Sequence, residues 1–189
     1  LIFPTAFFLN AIYTESLFLF LSLATFYLAF DKKYFWAGAI GFLAALTRIT
    51  GILLFLPLIV HLITSEGLNK NSLKKSLPLF LIPLGTICFF AYHWIYFGDP
   101  LLFFKVESAW GRSFAINKEH FTFLSNASFA NFILDSAYLF FGSLITLYLC
   151  KLKKFSYAIY MASTIGVAVA TGTFMSIGRY VLILFPIYL

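Results

Sequence analysis

The sequence predicts an all-α, polytopic transmembrane helix bundle, and three observations predict it. The chain of 189 residues is 62% hydrophobic and 11% charged, with 26 Phe and a mean hydropathy of +0.95. A soluble domain carries roughly a quarter charged residues. The apolar residues fall in runs whose lengths approach the ~20 residues needed to cross a hydrocarbon layer. Between those runs lie short polar segments that sort by charge.

Composition also excludes some classes. The net charge of +6 does not point to nucleic acid, because the basic residues form short clusters between apolar runs and not one patch. Cys88 lies within an apolar run and Cys150 abuts the cluster CKLKK, so neither a disulfide framework nor a metal site is implied. His61, His93 and His120 are far apart without ligand spacing and read as interfacial or packing residues. The chain begins without Met, lacks a signal-peptide pattern and stops inside YVLILFPIYL, so it reads as a fragment of a longer protein.

The expected membrane helices are 16–30, 34–47, 51–63, 77–96, 132–149, 155–173 and a last one over 180–189, with an outer loop over 97–131. The first is short, and the apolar residues of FFLNAIY before it extend it. Three connecting segments, DKK (31–33), the polar stretch 65–75 and CKLKK (150–154), hold eight of the 13 Lys and Arg against Asp31 and Glu66. The positive-inside rule makes these three cytoplasmic. The opposite side collects Glu15, Asp99, Glu107, Glu119 and Asp135 against Lys105, Arg112, Lys118 and Arg179.

This assignment conflicts with a single helix over 34–63, which would put DKK and 65–75 on opposite faces. A hairpin resolves the conflict. Half-helices 34–47 and 51–63 would each reach only ~20 Å at 1.5 Å per residue, turning at TRITG with Arg48 at the tip and Gly51 permitting the turn. Broken backbone at membrane depth is tolerated where protein buries it or a polar cavity accepts it. The rival is one tilted helix of ~45 Å with a snorkelling arginine.

Charges at the membrane edge are functional candidates, because burying them without a partner is costly. Arg48 would lie near headgroup level, where phosphate is its natural ligand, since a guanidinium is permanently charged and grips phosphate as a bidentate fork. The alternative is a structural pair with Glu15 or Asp135. Glu15, in AIYTESLF, is also explained as a favourable charge at a helix N-terminus capped by Thr14 or a neighbour, and the same explanation holds more strongly for Asp135. In the outer loop, Asp99 belongs to GDP, first a turn signal, and the loop's middle suits an interfacial amphipathic helix. Trp110 and Arg112 suit stacking on, and hydrogen bonding to, a sugar or phosphate; they equally suit anchoring at the headgroups. Arg179, followed by Tyr180, reads as a second phosphate ligand or as an ordinary flanking charge. Asn126, Ala127 and Ser128 form a glycosylation sequon, relevant only in a eukaryotic source.

Four stretches occur together and in order: FPTAFFLNAIYTESLFLFLSLATFYLAF, AGAIGFLAALTRITGILLFLPL, GDPLLFFKVESAWGR and GRYVLILFPIYL. Together they resemble the PIG-V-like mannosyltransferases, the group that includes GPI mannosyltransferase 2, within the GT-C class of integral membrane glycosyltransferases. YTESLF and LTRITG carry most of the resemblance. It implies a GT-C-like fold, a polyprenyl- or dolichyl-phosphate sugar donor, usually of mannose, and an outward-facing site that inverts the anomeric carbon without a cofactor. It also implies a glycan or glycolipid acceptor. Glu15 matches the Glu of the family's tyrosine-serine-glutamate-like block, Arg48 its arginine before a glycine, and Arg179 with Tyr180 its late arginine-aromatic pair; Asp99, Trp110 and Arg112 join them as candidate substrate-binding residues. The catalytic acid of such enzymes lies in a first outer loop upstream of this chain, so the base is expected elsewhere and the fragment alone is expected to be inactive.

The expected location is multi-pass in a bacterial or archaeal plasma membrane, or in the endoplasmic reticulum if the source is eukaryotic. A transporter or flippase of lipid-linked sugars needs the same cavity and cationic phosphate ligands, although no internal repeat is evident. A non-catalytic membrane scaffold is the third reading.

Overall fold

The computed structural model describes residues 6–9, 13–109, 129–170 and 177–188, and every regular element among them is helical. Helix α1 spans Glu15–Phe30 and α2 spans Tyr34–Thr47. A 3-10 segment, Ile49–Leu54, leads into α3, Phe55–Glu66. The short α4, Lys70–Ser76, continues through the 3-10 turn Leu77–Phe80 into α5, Leu81–Phe97. Then follow α6, Leu102–Ala109, α7, Phe129–Lys151, α8, Phe155–Ala170, and α9, Ile177–Leu182.

Among the described residues three helical stretches are long and apolar enough to cross a membrane: Ile49–Glu66, Lys70–Phe97 and Ile133–Lys151. Helices α1, α2 and α8 are apolar but shorter. Many large apolar side chains face outward, among them Phe20 at 65%, Tyr27 at 69% and Phe140 at 67% exposure. Apolar surface on that scale belongs against lipid or further protein.

Helix α1 buries one face, with Phe18, Leu21, Ser22, Thr25, Phe26 and Ala29 at helical spacing. Its two buried hydroxyls satisfy themselves on the preceding turn: Ser22 Oγ donates to the Leu19 carbonyl (2.9 Å) and Thr25 Oγ1 to the Leu21 carbonyl (2.7 Å). Helix α2 lies between α1 and α5. It buries the small residues Ala37, Gly38, Gly41, Ala44 and Ala45, which let the backbones approach closely. A Cβ at Gly38 would lie 2.1 Å from the Pro78 carbonyl oxygen, and one at Gly85 would lie 2.6 Å from that of Phe42.

No continuous helix runs over 34–63. Arg48 is extended (φ −146°, ψ 138°) and ends α2, after which the chain folds back on itself. A Cβ at Gly51 would lie 2.5 Å from Ala45 Cα, so glycine is required by close approach and not by a left-handed φ. At the far end Tyr34 Oη donates to Glu66 Oε1 (3.3 Å). The segments on either side of Arg48 thus start and finish beside one another.

Several boundaries differ from expectation. The helix expected over 77–96 begins at Lys70, inside the stretch read as a polar loop, because Asn69 nucleates it. Asn69 Oδ1 accepts from the Asn71 and Ser72 amides (2.9 Å each), and Ser72 Oγ accepts from the Asn69 amide (2.9 Å), a reciprocal capping box. The helix expected over 132–149 extends at both ends to Phe129–Lys151. Only Ala170 and earlier residues of the expected 155–173 helix are described. The expected helix over 180–189 starts three residues earlier, at Ile177, and stops at Leu182. A 3-10 turn, Phe185–Tyr188, follows, since Pro186 lacks an amide hydrogen and disfavours α geometry in the residue before it.

That turn closes an aromatic core. Phe185 packs on Phe26 (centroids 4.9 Å) and stacks on Tyr160 (5.7 Å), and Phe26 meets Tyr160 at 5.4 Å. The contacts tie the segment after α9 to α1 and α8. They set where α9 begins relative to the start of α1.

Candidate functional site

The start of α1 gathers three charges from distant parts of the chain. Glu15 is fully buried. Its Oε1 accepts from Arg179 Nε at 2.8 Å and from Arg179 Nη2, and Arg48 Nη1 lies 3.0 Å from the same oxygen. Each partner arrives through a local feature. The extended Arg48 leaves the end of α2, and Arg179 sits in the short α9.

Thr14 does not cap α1 with its side chain. Its Oγ1 instead accepts from Arg48 Nη1 (3.3 Å), so the anticipated capping role passes into the cluster. The Arg179 guanidinium lies over two rings, 4.6 Å from the Phe8 centroid and 4.8 Å from that of Tyr13. The rings themselves meet edge to face at 5.4 Å. A cation held between aromatic faces is favoured by their quadrupoles.

The charge balance is uneven. Among the described residues one carboxylate faces two guanidiniums, and both cations use the same oxygen, leaving an excess of one positive charge. The arginine side chains keep 17% and 26% of their surface exposed, whereas Glu15 keeps none. Glu15 Oε2 and Thr50 Oγ1 are buried without a hydrogen-bond partner among the described residues, as is Tyr160 Oη. Buried polar atoms are ordinarily satisfied, and Glu15 Oε2, which can only accept, calls for a donor; the capacity for an anion lies with the two guanidiniums. The arrangement suits an anion: guanidiniums already oriented by a carboxylate, partly accessible, and in surplus.

The other candidates fall elsewhere. Tyr180 follows Arg179 on α9 and is half-buried. Among the described residues, Asp99 engages near neighbours. Its Oδ1 accepts from the Leu101 amide (3.0 Å) and its Oδ2 pairs with Lys105, which is the turn that GDP signals. The Lys105 ammonium and the Leu101 amide hold its carboxyl below the usual range. Trp110 and Arg112 lie outside the described residues, as do His120 and the sequon at 126–128. Among the described residues, no group of three His, Cys, Asp or Glu side chains could hold a metal ion.

Asp135 plays a part that helix-start reasoning missed. It lies seven residues into α7, beyond the first turn, and its Oδ1 accepts from the Gly178 amide (3.2 Å). That bond pins the beginning of α9 one residue before Arg179. An acid inside an apolar helix was the only sequence signal. Phe8 and Tyr13 gave none, since aromatic residues are abundant throughout. Comparison of the chain with protein-family models, with curated proteins and with solved structures finds no match.

Proposed function

We propose that this chain is the membrane-embedded part of a GT-C-type glycosyltransferase, in which Arg48 and Arg179 hold the phosphate of a polyprenyl-phosphate sugar donor. The observation that carries the reading is the convergence of both guanidiniums on the single oxygen Glu15 Oε1, with one positive charge in excess. The resemblance of YTESLF, LTRITG and GRY to mannosyltransferase sequences supports it and names mannose as the sugar. In this reading the chain is polytopic, its lysine-rich turns are cytoplasmic, and α2 and α3 form a hairpin that brings Arg48 to the outer headgroup level.

The chemistry follows from the charges. An acceptor hydroxyl on a glycan or glycolipid attacks the anomeric carbon, its proton passing to a carboxylate that the resemblance assigns to a loop upstream of this chain. The bond from that carbon to the phosphate oxygen breaks with inversion, and negative charge grows on the departing lipid phosphate. Arg48 and Arg179 stabilise that charge, and they do so with little reorganisation because Glu15, Thr14, Phe8 and Tyr13 already orient them.

The test is transfer of radiolabelled mannose from polyprenyl-phosphate mannose by the full-length protein. Arg48→Ala is expected to lower the rate by about 10²–10³-fold while the protein still folds. Arg48→Lys keeps the charge but loses the fork, and is expected to fall between. Wild-type rates for Arg48→Ala would remove the phosphate role.

A further inference from the structure

The opposite end of the molecule carries a second, differently built group of charges. The turns after α1, α3 and α7 gather there: the Phe30 ring lies 4.1 Å from that of His61 on α3 and 5.3 Å from that of Tyr157 on α8. Glu66 accepts from both Tyr34 and Lys75. Eight lysines meet two acids at this end, and each acid is already paired, Asp31 with Lys33 and Glu66 with Lys75. Lys32, Lys70, Lys74, Lys151, Lys153 and Lys154 are exposed and form no ion pair with the described residues.

Two of these lysines sit where glycine would be the unstrained choice. The turns after α1 and α7 close with the same bonds: Lys32 and Lys33 amides to the Ala29 and Leu28 carbonyls (3.0 and 2.8 Å), Lys153 and Lys154 amides to the Cys150 and Leu149 carbonyls (3.0 Å each). This is the Schellman closure, whose left-handed residue is usually glycine. Here it is Lys32 (φ 60°) and Lys153 (φ 59°), whereas the chain does use glycine in the left-handed region at Gly67 (φ 74°) and Gly98 (φ 70°). A side chain at such a φ carries a steric cost that glycine avoids. Both turns bear that cost and keep an ammonium group.

The same end exposes apolar surface beside the cations. On and next to α4, Leu68, Leu73 and Leu77 are 85%, 69% and 66% exposed, interleaved with Lys70 and Lys74. Leucines and lysines mixed on a short helix suit a bilayer interface, where the apolar groups enter and the ammoniums reach headgroups. They do not suit a soluble acidic partner.

We propose that this end is a binding surface for acidic phospholipid headgroups, in which Lys32 and Lys153 are retained at strained turns for their charge. The proposal rests on the membrane reading of the chain and is independent of sugar transfer. The experiment measures, by native mass spectrometry of the full-length protein, retention of phosphatidylglycerol against phosphatidylcholine. Wild type is expected to prefer phosphatidylglycerol. The variant Lys32→Gly with Lys153→Gly is expected to lose about fivefold of that preference for each lysine removed, with a melting temperature unchanged or raised. Lys70→Gln with Lys74→Gln leaves the turns untouched and is expected to lose a similar factor. Mannose transfer by both variants is expected to stay at the wild-type rate, which separates this surface from the Arg48 site. Equal retention of the two lipids by wild type, or an undiminished preference in either variant, would overturn the proposal.

Discussion

The two ends of the molecule both bring acids and bases together, yet in opposite ways. At the start of α1 a fully buried carboxylate, Glu15, serves two arginines, one of them 164 residues away. At the far end Glu66 meets Lys75 only nine residues on, and the lysine side chain is 37% exposed. The first group could not stand without its partners, because burying an unpaired charge costs several kcal/mol. The second leans less on burial, because Lys75 keeps 37% and Glu66 12% of their side-chain surface in contact with solvent, which screens part of the pair. Arginine is used where a fixed geometry is needed and lysine where a diffuse positive field suffices.

Matched substitutions at the two carboxylates give the sharpest test of that contrast. Glu15→Gln leaves two guanidiniums facing a neutral amide and is expected to cost about 3–5 kcal/mol in unfolding free energy. Glu66→Gln is expected to cost clearly less, because its lysine partner stays open to solvent. Denaturation in detergent followed by circular dichroism measures both, and equal losses would erase the distinction.

Packing between the ends comes next in size. Gly38→Ala drives a methyl against the Pro78 carbonyl, where backbone and not a flexible side chain must yield. About 1–3 kcal/mol of lost stability is expected, read as a lower melting temperature. A melting temperature unchanged from wild type would mean that α2 and the 3-10 turn before α5 separate without penalty.

At the lysine-rich end, Asn69→Ala removes the Oδ1 that accepts from the Asn71 and Ser72 amides in the α4 capping box. About 1 kcal/mol is expected, with earlier hydrogen exchange confined to the amides of Asn71 and Ser72. Smallest is Tyr13→Leu at the arginine end, which removes one of the two rings beneath Arg179. It is expected to cost about 0.5–1 kcal/mol and, under the proposed function, to raise the KM for the lipid donor more than it lowers kcat. No change in either constant would leave the ring a packing residue alone.

Much of this architecture was legible in the residues. Apolar runs and lysine-rich turns located the helices, and the conflict between DKK and 65–75 located the break at Arg48. Where the reading missed, local chemistry had been outweighed by polarity. Lys70–Ser76 looked like loop because it is polar, although Asn69 and Ser72 form a capping box. Pro186 lies within the expected last helix, where it disfavours α geometry in the residue before it and a 3-10 turn forms instead. Asp135 was assigned to a helix start, whereas it holds the amide of Gly178 from 43 residues away.

What the sequence determined by itself, then, is what depends on neighbours along the chain: helical class, apolar length, the turn at TRITG, and the charge of each connecting segment. Those follow from side-chain transfer energies and backbone sterics, which act within a few residues. Only the tertiary structure decided that Glu15 is the common partner of Arg48 and Arg179, and that one of its oxygens takes both. The apolar flanks of an arginine do not say which carboxylate will neutralise it. That choice rests on where α9 docks, which Phe26, Tyr160, Phe185 and Asp135 settle through contacts far apart in sequence.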